Sequence, residues 1–211
     1  RRKAVGLGLL WSLIYLYNRF TLNVIISGQI DILAALFFVL ALYLINPYLF
    51  GLSLAIKQIG IIFLPFFLLL ASEGRSMAER VQKILVLAGK VLFIPILVSI
   101  PFLLNDAMGL LKSIVFSVTR DAGTHIRGLG SLDVHIGWEG FIARIPMLAL
   151  LGLALYVCWV QRISMFKAAV LVFCIFYSFN SILFNQYFVW GMMVIPFLFL
   201  TEGQESDKKR I

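Results

Sequence analysis

The sequence predicts an all-α, polytopic helical membrane protein with about six full spans and one broken or re-entrant helix pair. Of its 211 residues, 62% are hydrophobic and only 13% are charged. A soluble domain of this size cannot bury so much apolar side chain. The basic residues form short clusters between apolar runs, a pattern that the positive-inside rule explains better than a nucleic-acid surface. We therefore expect membrane lipids, and no nucleic acid, as partners of one transmembrane domain over residues 1–211.

Hydropathy and charge predict the order of the spans. The predicted full spans are 4–26, 32–45, 84–104, 140–160, 168–184 and 189–200. Basic loops predict that Arg80 and Lys209, with the tail 201–211, are cytoplasmic. Gln29, Gln186 and the long loop 105–139 are then extracytoplasmic, and residues 107–116 of that loop suit a helix lying in the interface. The expected location is the plasma membrane of a prokaryote or the endoplasmic reticulum membrane.

The run 48–70 is apolar but is interrupted by Lys57-Gln58, Gly60 and Pro65. A lysine at the bilayer centre costs about 3 kcal/mol on insertion scales, so Lys57 indicates a functional site unless it snorkels beside a structural break. The run is either one spanning helix or two half-helices meeting at residues 57–60. Because both of its ends are expected on the cytoplasmic side, the charge pattern favours the broken arrangement, with the turn eased by Gly60.

Polar side chains from distant segments are expected at one outer level. They are Gln29, Asp31, Lys57, Gln58, Arg120, His125, Arg127, Gln186 and Tyr187. Arginine offers a planar fork to phosphate oxygens and lysine offers a point charge, so the expected ligand is an anion such as a lipid-linked phosphate. We expect Lys57 to hold it together with at least one of Arg120, His125 and Arg127.

Simpler interpretations exist for several of these residues. Asp31 is also placed to cap the helix that follows it, and Arg120 and Arg127 are also placed to contact lipid headgroups. Three aromatic residues are typical of an interfacial belt: Trp138, Tyr187 and Trp190.

Cysteine and histidine spacing predicts no metal site. Cys158 and Cys174 both lie in apolar spans and are expected to be reduced packing residues. His125 and His135 lack the spacing of a zinc site. No cofactor is therefore predicted, although a divalent metal remains open.

Three short segments share a common likeness: SGQIDILAAL (27–36), GLSLAIKQ (51–58) and NQYFVW (185–190). They resemble motifs of the GT-C superfamily of polyprenol-phosphate-sugar-dependent glycosyltransferases. Residues 27–36, SGQIDILAAL, resemble the "GQxD" helix start, and residues 51–58, GLSLAIKQ, resemble the "GLALAxK(Q)" segment. Residues 185–190, NQYFVW, are similar to the "QYFxW" of dolichol-phosphate-mannose-dependent mannosyltransferases. The three motifs occur in the family's order, and the resemblance extends from about Trp11 to Pro196.

The resemblance implies a membrane enzyme that moves a sugar, here mannose, from a polyprenyl phosphate to a lipid-linked or protein acceptor on the extracytoplasmic face. The family's catalytic acidic residue lies in the first outer loop, and no such loop precedes Ser27. We therefore expect this chain to be the C-terminal part of a longer enzyme whose main base lies before Arg1. Within the chain, Asp31 is the candidate carboxylate for the acceptor's proton.

A different class of function, a lipid or polysaccharide transporter, also uses broken helices with charges at membrane depth. Transporters often carry paired broken segments in two halves, whereas this sequence has one. A third possible function is that of a non-catalytic scaffold subunit. That function would not explain a charged residue, Lys57, within an apolar run.

Overall fold

A computed structural model describes residues 2–72, 76–119, 131–138, 142–161, 163–180 and 184–208. These ranges form helices joined by turns, and no β-strand occurs within them, which confirms the all-helical prediction. The helices are α1 (Arg2–Tyr17), α2 (Arg19–Ile26), α3 (Asp31–Leu44), α4 (Pro47–Ile56), α5 (Leu64–Ala71), α6 (Met77–Thr119), α7 (Leu132–Ile136), α8 (Ile145–Gln161), α9 (Met165–Phe179) and α10 (Asn185–Lys208), with 3₁₀ turns at Gln58–Phe63 and Ile142–Arg144.

Two helical segments are long and apolar enough to cross a membrane, Met77–Ser113 and Ile142–Gln161. A third span is formed if the bent pair Gly6–Tyr17 and Arg19–Ile26 crosses as one. The expected six full spans are not found in the described ranges. The remaining apolar helical segments, which include Gln186–Leu198 within α10, have 10–17 residues, fewer than the about 20 that an untilted helix needs to cross the hydrocarbon core.

The region predicted as the span 4–26 consists of a pair of helices, bent by 54° at Asn18. The Asn18 side chain accepts hydrogen bonds from the backbone N–H groups of Phe20 and Thr21, at 2.9 and 3.0 Å. These bonds satisfy donors that a new helix leaves unpaired, so Asn18 caps α2 rather than continuing α1.

Helices α3 and α4 pack as an antiparallel pair. Contacts at three successive levels join Phe38 to Phe50 (ring centroids 5.6 Å apart), the Ala34 carbonyl to the Ser53 hydroxyl (2.8 Å), and Asp31 to Lys57 (3.4 Å). As residue numbers fall along α3 they rise along α4. The end of α4 therefore lies beside the start of α3.

The chain reverses at Lys57. Its backbone is extended, with φ −150° and ψ 126°, between α4 and the 3₁₀ turn. Beyond it, the Phe63 ring lies 5.6 Å from that of Phe38, and the Phe67 ring lies 4.6 Å from that of Phe50. The segment thus descends beside α4, and the run 47–71 begins and ends at the same end of the bundle.

This reversal confirms that the run 48–70 is broken near Lys57. The break is at Lys57 itself and not at Gly60, which is buried inside the 3₁₀ turn and does not adopt a left-handed φ. A Cβ at Gly60 would lie 3.4 Å from Leu54 and Phe38, so the missing side chain permits close packing there.

Helix α10 runs parallel to α3, because Trp190 contacts Phe38 (5.5 Å between ring centroids) and Phe197 contacts Tyr43 (6.1 Å). Trp190 is completely buried in the aromatic core, so its interpretation as an interfacial belt residue is wrong. The start of α10 lies at the same end of the bundle as Asp31. We call this end the Lys57 end.

The opposite end, the Arg80 end, contains Leu69, which follows Phe67 in α5, and the first turns of α6. The Arg80 guanidinium donates from Nη2 to the Leu69 carbonyl at 3.2 Å. Farther along α6, Val91 meets α4 so closely that a Cβ on Gly51 would overlap its carbonyl oxygen. This contact fixes α6 against α4.

Two predicted boundaries differ in the structure. Helical structure in α6 continues to Thr119 across a break at Asp106 (φ −152°, ψ 80°), so the predicted loop 105–139 starts with a helix over the segment expected to be interfacial. Helix α10 extends to Lys208, beyond the expected end of its span at Leu200.

Candidate functional site

An ion pair joins α3 to the chain reversal. Lys57 Nζ lies 3.4 Å from Asp31 Oδ2, and 33% of the Lys57 side chain is exposed against 2% for Asp31. In the described residues the ammonium contacts only this one carboxylate. Lysine carries three N–H donors, so Lys57 retains donors for a further anionic partner.

The local structure explains why these two side chains meet. Asp31 is the first residue of α3, where the positive end of the helix dipole favours a carboxylate. Lys57 ends α4, and its backbone N–H donates to the Ser53 carbonyl at 2.9 Å. The interpretation of Asp31 as a simple cap is not supported, because the N-cap position of α3 is Ile30 and no side chain caps that helix.

The second carboxylate oxygen of Asp31, Oδ1, is buried and has no hydrogen-bond partner among the described residues. Leaving a buried acceptor without a hydrogen bond costs folding free energy. The contact of Lys57 with the other oxygen, Oδ2, therefore matters more to the stability of the buried carboxylate. With Asp31 1% exposed, its carboxylate is shielded from a substrate hydroxyl by the surrounding helices.

The structure places three predicted polar residues at the Lys57 end. Gln29, in the turn before α3, and Gln58, next to Lys57, are exposed, and Gln186 in the first turn of α10 is half-buried. These side chains share an end with the ion pair.

Tyr187 is joined to α9 through its backbone. It is half-buried, and its carbonyl accepts a hydrogen bond from the Tyr177 hydroxyl at 2.8 Å. The same hydroxyl accepts from the Gly191 backbone N–H at 2.9 Å. Tyr177 therefore clamps the end of α9 to the start of α10, a function that sequence analysis missed.

Arg120, His125 and Arg127 lie outside the described residues, as does Lys209. The expectation that one of the first three joins Lys57 at a phosphate stays a prediction.

Within the described ranges no group of three or more His, Cys, Asp or Glu residues could hold a metal ion. Of the two cysteines, Cys158 is buried and Cys174 is exposed, and both are free thiols. His135 bonds through Nδ1 to the Ser131 carbonyl at 3.0 Å.

The pairing of Asp31 with Lys57 was missed by sequence analysis, although a signal for it exists. Asp31 is the only acidic residue in the stretch 4–72, and Arg19 and Lys57 are the only basic ones. A single carboxylate in so apolar a stretch needs a cation, and Lys57 is the one that lies in the middle of an apolar run.

The fold and the site together define an all-helical chain with membrane-length apolar helices and an ion pair at one end of the bundle. No family model, curated protein or solved structure matches this chain.

Proposed function

We propose that this protein is a multi-pass membrane glycosyltransferase that moves mannose from a polyprenyl phosphate to a lipid-linked or protein acceptor. The observation that carries the proposal is the Lys57 ammonium, which is fixed at a chain reversal by a buried carboxylate and is still one-third exposed. A cation held in this way is prepared to bind an anion.

The chemistry requires an anion site more than a protein acid. When the acceptor hydroxyl oxygen attacks the anomeric carbon, the bond from that carbon to the phosphate oxygen breaks and the polyprenyl phosphate leaves with the electron pair. The departing phosphate is a monoester dianion, which can accept the proton that the hydroxyl loses. Preorganised N–H donors aimed at the leaving phosphate lower the barrier of this step. Lys57 supplies such donors, and Gln29, Gln58 and Gln186 at the same end offer amide groups for the sugar hydroxyls.

Asp31 has a positioning role in this proposal. Its burial keeps it from an acceptor hydroxyl, whereas a general base must approach to about 2.6–3.2 Å. Its contact with Lys57 instead fixes the direction of the ammonium. Asp31 is therefore proposed as a positioning residue, although within this chain it was the candidate carboxylate for the acceptor's proton.

The proposed orientation places the Lys57 end on the extracytoplasmic face and the Arg80 end in the cytoplasm. It is supported by the separation of Gln29 and Gln186 from Arg80 along the bundle. Single-cysteine variants at Gln29, Gln186 and Arg80 should label with an impermeant reagent from opposite sides, the first two from outside. Labelling of Gln29 and Arg80 positions from the same side would refute the orientation.

The test of function is sugar transfer by the full-length protein in liposomes with labelled polyprenyl-phosphate mannose. Lys57→Met should lower transfer by a factor on the order of 10², because hydrogen bonds to charged groups are worth about 1.5–3 kcal/mol. Lys90→Met is the matched control, since Lys90 is exposed on α6 and should tolerate the same change. Near-normal transfer by Lys57→Met at matched protein level would exclude the proposed role.

The chain reversal at Lys57 also favours a second candidate, a lipid or polysaccharide transporter, in which such a break contacts the cargo. A transporter moves labelled lipid between leaflets without converting it, whereas the enzyme transfers label to an acceptor. Measuring both products in the same liposomes distinguishes the two functions.

A further inference from the structure

Helices α5, α6 and α8 enclose an apolar groove of about 550 Å³. It is lined mainly by Leu64, Leu68, Ile84, Leu155, Tyr156 and Trp159. This volume is within the about 300–1,000 Å³ range of small-molecule sites. Because Leu64 and Leu69 both line the groove and lie near opposite ends of α5, the groove follows that helix for most of its length.

Arg80 marks one end of the groove. Its guanidinium donates to the carbonyl of Leu69, and its Cζ lies 4.3 Å from the centroid of the Trp159 ring. Leu69 and Trp159 are both lining residues. A cation therefore lies where the apolar wall ends.

The Arg80 guanidinium has neutral partners only, within the part of the chain that the structure describes. These are a backbone carbonyl and an aromatic ring, and its Nε is buried without a hydrogen-bond partner. A planar guanidinium with unused donors is well suited to two phosphate oxygens.

We propose that this groove binds an anionic phospholipid, with one acyl chain along α5 and the phosphate on Arg80. An apolar channel that ends at a cation is complementary to a lipid chain attached to a phosphate, and anionic lipids are attracted to basic residues beside membrane helices. The site lies at the opposite end from Lys57, so it does not depend on the proposed sugar transfer.

The test compares two lipids with identical acyl chains on the purified full chain in detergent, by native mass spectrometry. Phosphatidylglycerol should remain bound at roughly tenfold lower concentration than phosphatidylcholine, because both carry the same phosphate but the choline ammonium of phosphatidylcholine places a positive charge near Arg80. Arg80→Gln should abolish this preference. Lys90→Gln removes the same charge from an exposed position of α6 and should retain it.

A second pair of variants tests the apolar part of the site. A Cβ at Gly152, a lining residue, or at Gly89 on α6 would have no neighbour within 4 Å, so a side chain can begin at either position without a clash. Gly152→Leu should weaken phosphatidylglycerol binding about tenfold by occupying the groove, and Gly89→Leu should not.

Three results would overturn the proposal. They are equal binding of both lipids by the unmodified chain, a retained preference in Arg80→Gln, and unchanged binding by Gly152→Leu. Displacement of phosphatidylglycerol by polyprenyl phosphate in the Lys57→Met variant would assign the groove to the donor lipid instead. If Arg80→Gln fails to fold, the Gly152→Leu and Gly89→Leu pair decides the question alone.

Discussion

The two ends of the helical bundle hold their cations in different ways. Lys57 lies 3.4 Å from a carboxylate that is almost completely buried, whereas Arg80 contacts a backbone carbonyl and the face of Trp159. The Asp31 carboxylate balances the charge of Lys57 and fixes the position of its ammonium group. Arg80 retains its full charge beside an apolar groove. The proposed functions of the two ends follow from these neighbours: a positioned ammonium for a donor phosphate at Lys57, and an uncompensated guanidinium for a lipid phosphate at Arg80.

The largest effect on stability is expected when the Asp31–Lys57 ion pair is broken. Lys57→Met should destabilise the fold by about 2–3 kcal/mol, because it leaves the Asp31 carboxylate buried without a partner. This value is below that of a fully buried pair, since Lys57 is partly exposed to solvent. Thermal unfolding in detergent measures the loss.

The double variant Asp31→Asn with Lys57→Met is the control for that prediction. It removes both charges and should recover most of the lost stability, as a double-mutant cycle requires for a coupled pair. The double-mutant cycle also needs the single variant Asp31→Asn. If the stability losses of Asp31→Asn and Lys57→Met add up to that of the double variant, the contact contributes no stability and the comparison of the two ends fails.

The contact between α4 and α6 connects the segment that carries Lys57 to the helix that carries Arg80. Gly51→Ala should destabilise the fold by about 1–3 kcal/mol, because the new Cβ overlaps the Val91 carbonyl and the backbones must separate. Gly89→Ala, in open space on α6, should be neutral or stabilising because alanine is the better helix former. Equal melting temperatures for both variants would contradict the observed approach of the helices.

The clamp at the Lys57 end has a smaller expected effect. Tyr177→Phe removes one hydroxyl and leaves the Tyr187 carbonyl and the Gly191 N–H without this partner, which should cost about 1 kcal/mol. Transfer activity should decline with the loosened start of α10. Unchanged stability would show that the hydroxyl is replaced by water.

The smallest effect is expected at the Arg80 end. Arg80→Lys keeps the charge but loses the planar stacking on Trp159, so it should cost about 0.5–1 kcal/mol. A Trp159→Leu background should remove this difference between arginine and lysine. If the stability difference between arginine and lysine persists in the Trp159→Leu background, stacking on Trp159 is not the cause of that difference.

The helical class and the break near Lys57 could be predicted, because both follow from the distribution of apolar and charged residues along the chain. The number of full spans could not. Hydropathy does not report the side-chain cap of Asn18 that bends the first span, nor does it distinguish a helix of 14 residues such as α3 from one that crosses.

The site was predicted in its parts but not in its pairing. Lys57 was selected because a charge is conspicuous in an apolar run, and Asp31 because it lies with Gln29 in the polar interruption before the next span. Their contact depends on the antiparallel packing of α3 and α4, set by Phe38 on Phe50 and by Ser53 on Ala34. The burial of Trp190 was missed for the same reason, since only the packed aromatic core shows that its ring is inside.

The central claim, that the Lys57 ammonium holds the donor phosphate, is tested most directly by binding. Labelled polyprenyl phosphate should be titrated onto the full-length protein and onto the double variant Asp31→Asn with Lys57→Met, which lacks the cation without leaving a buried carboxylate unpaired. The double variant should bind polyprenyl phosphate at least about tenfold more weakly, because a charge-assisted hydrogen bond is lost. Equal affinity in two equally stable proteins would contradict it.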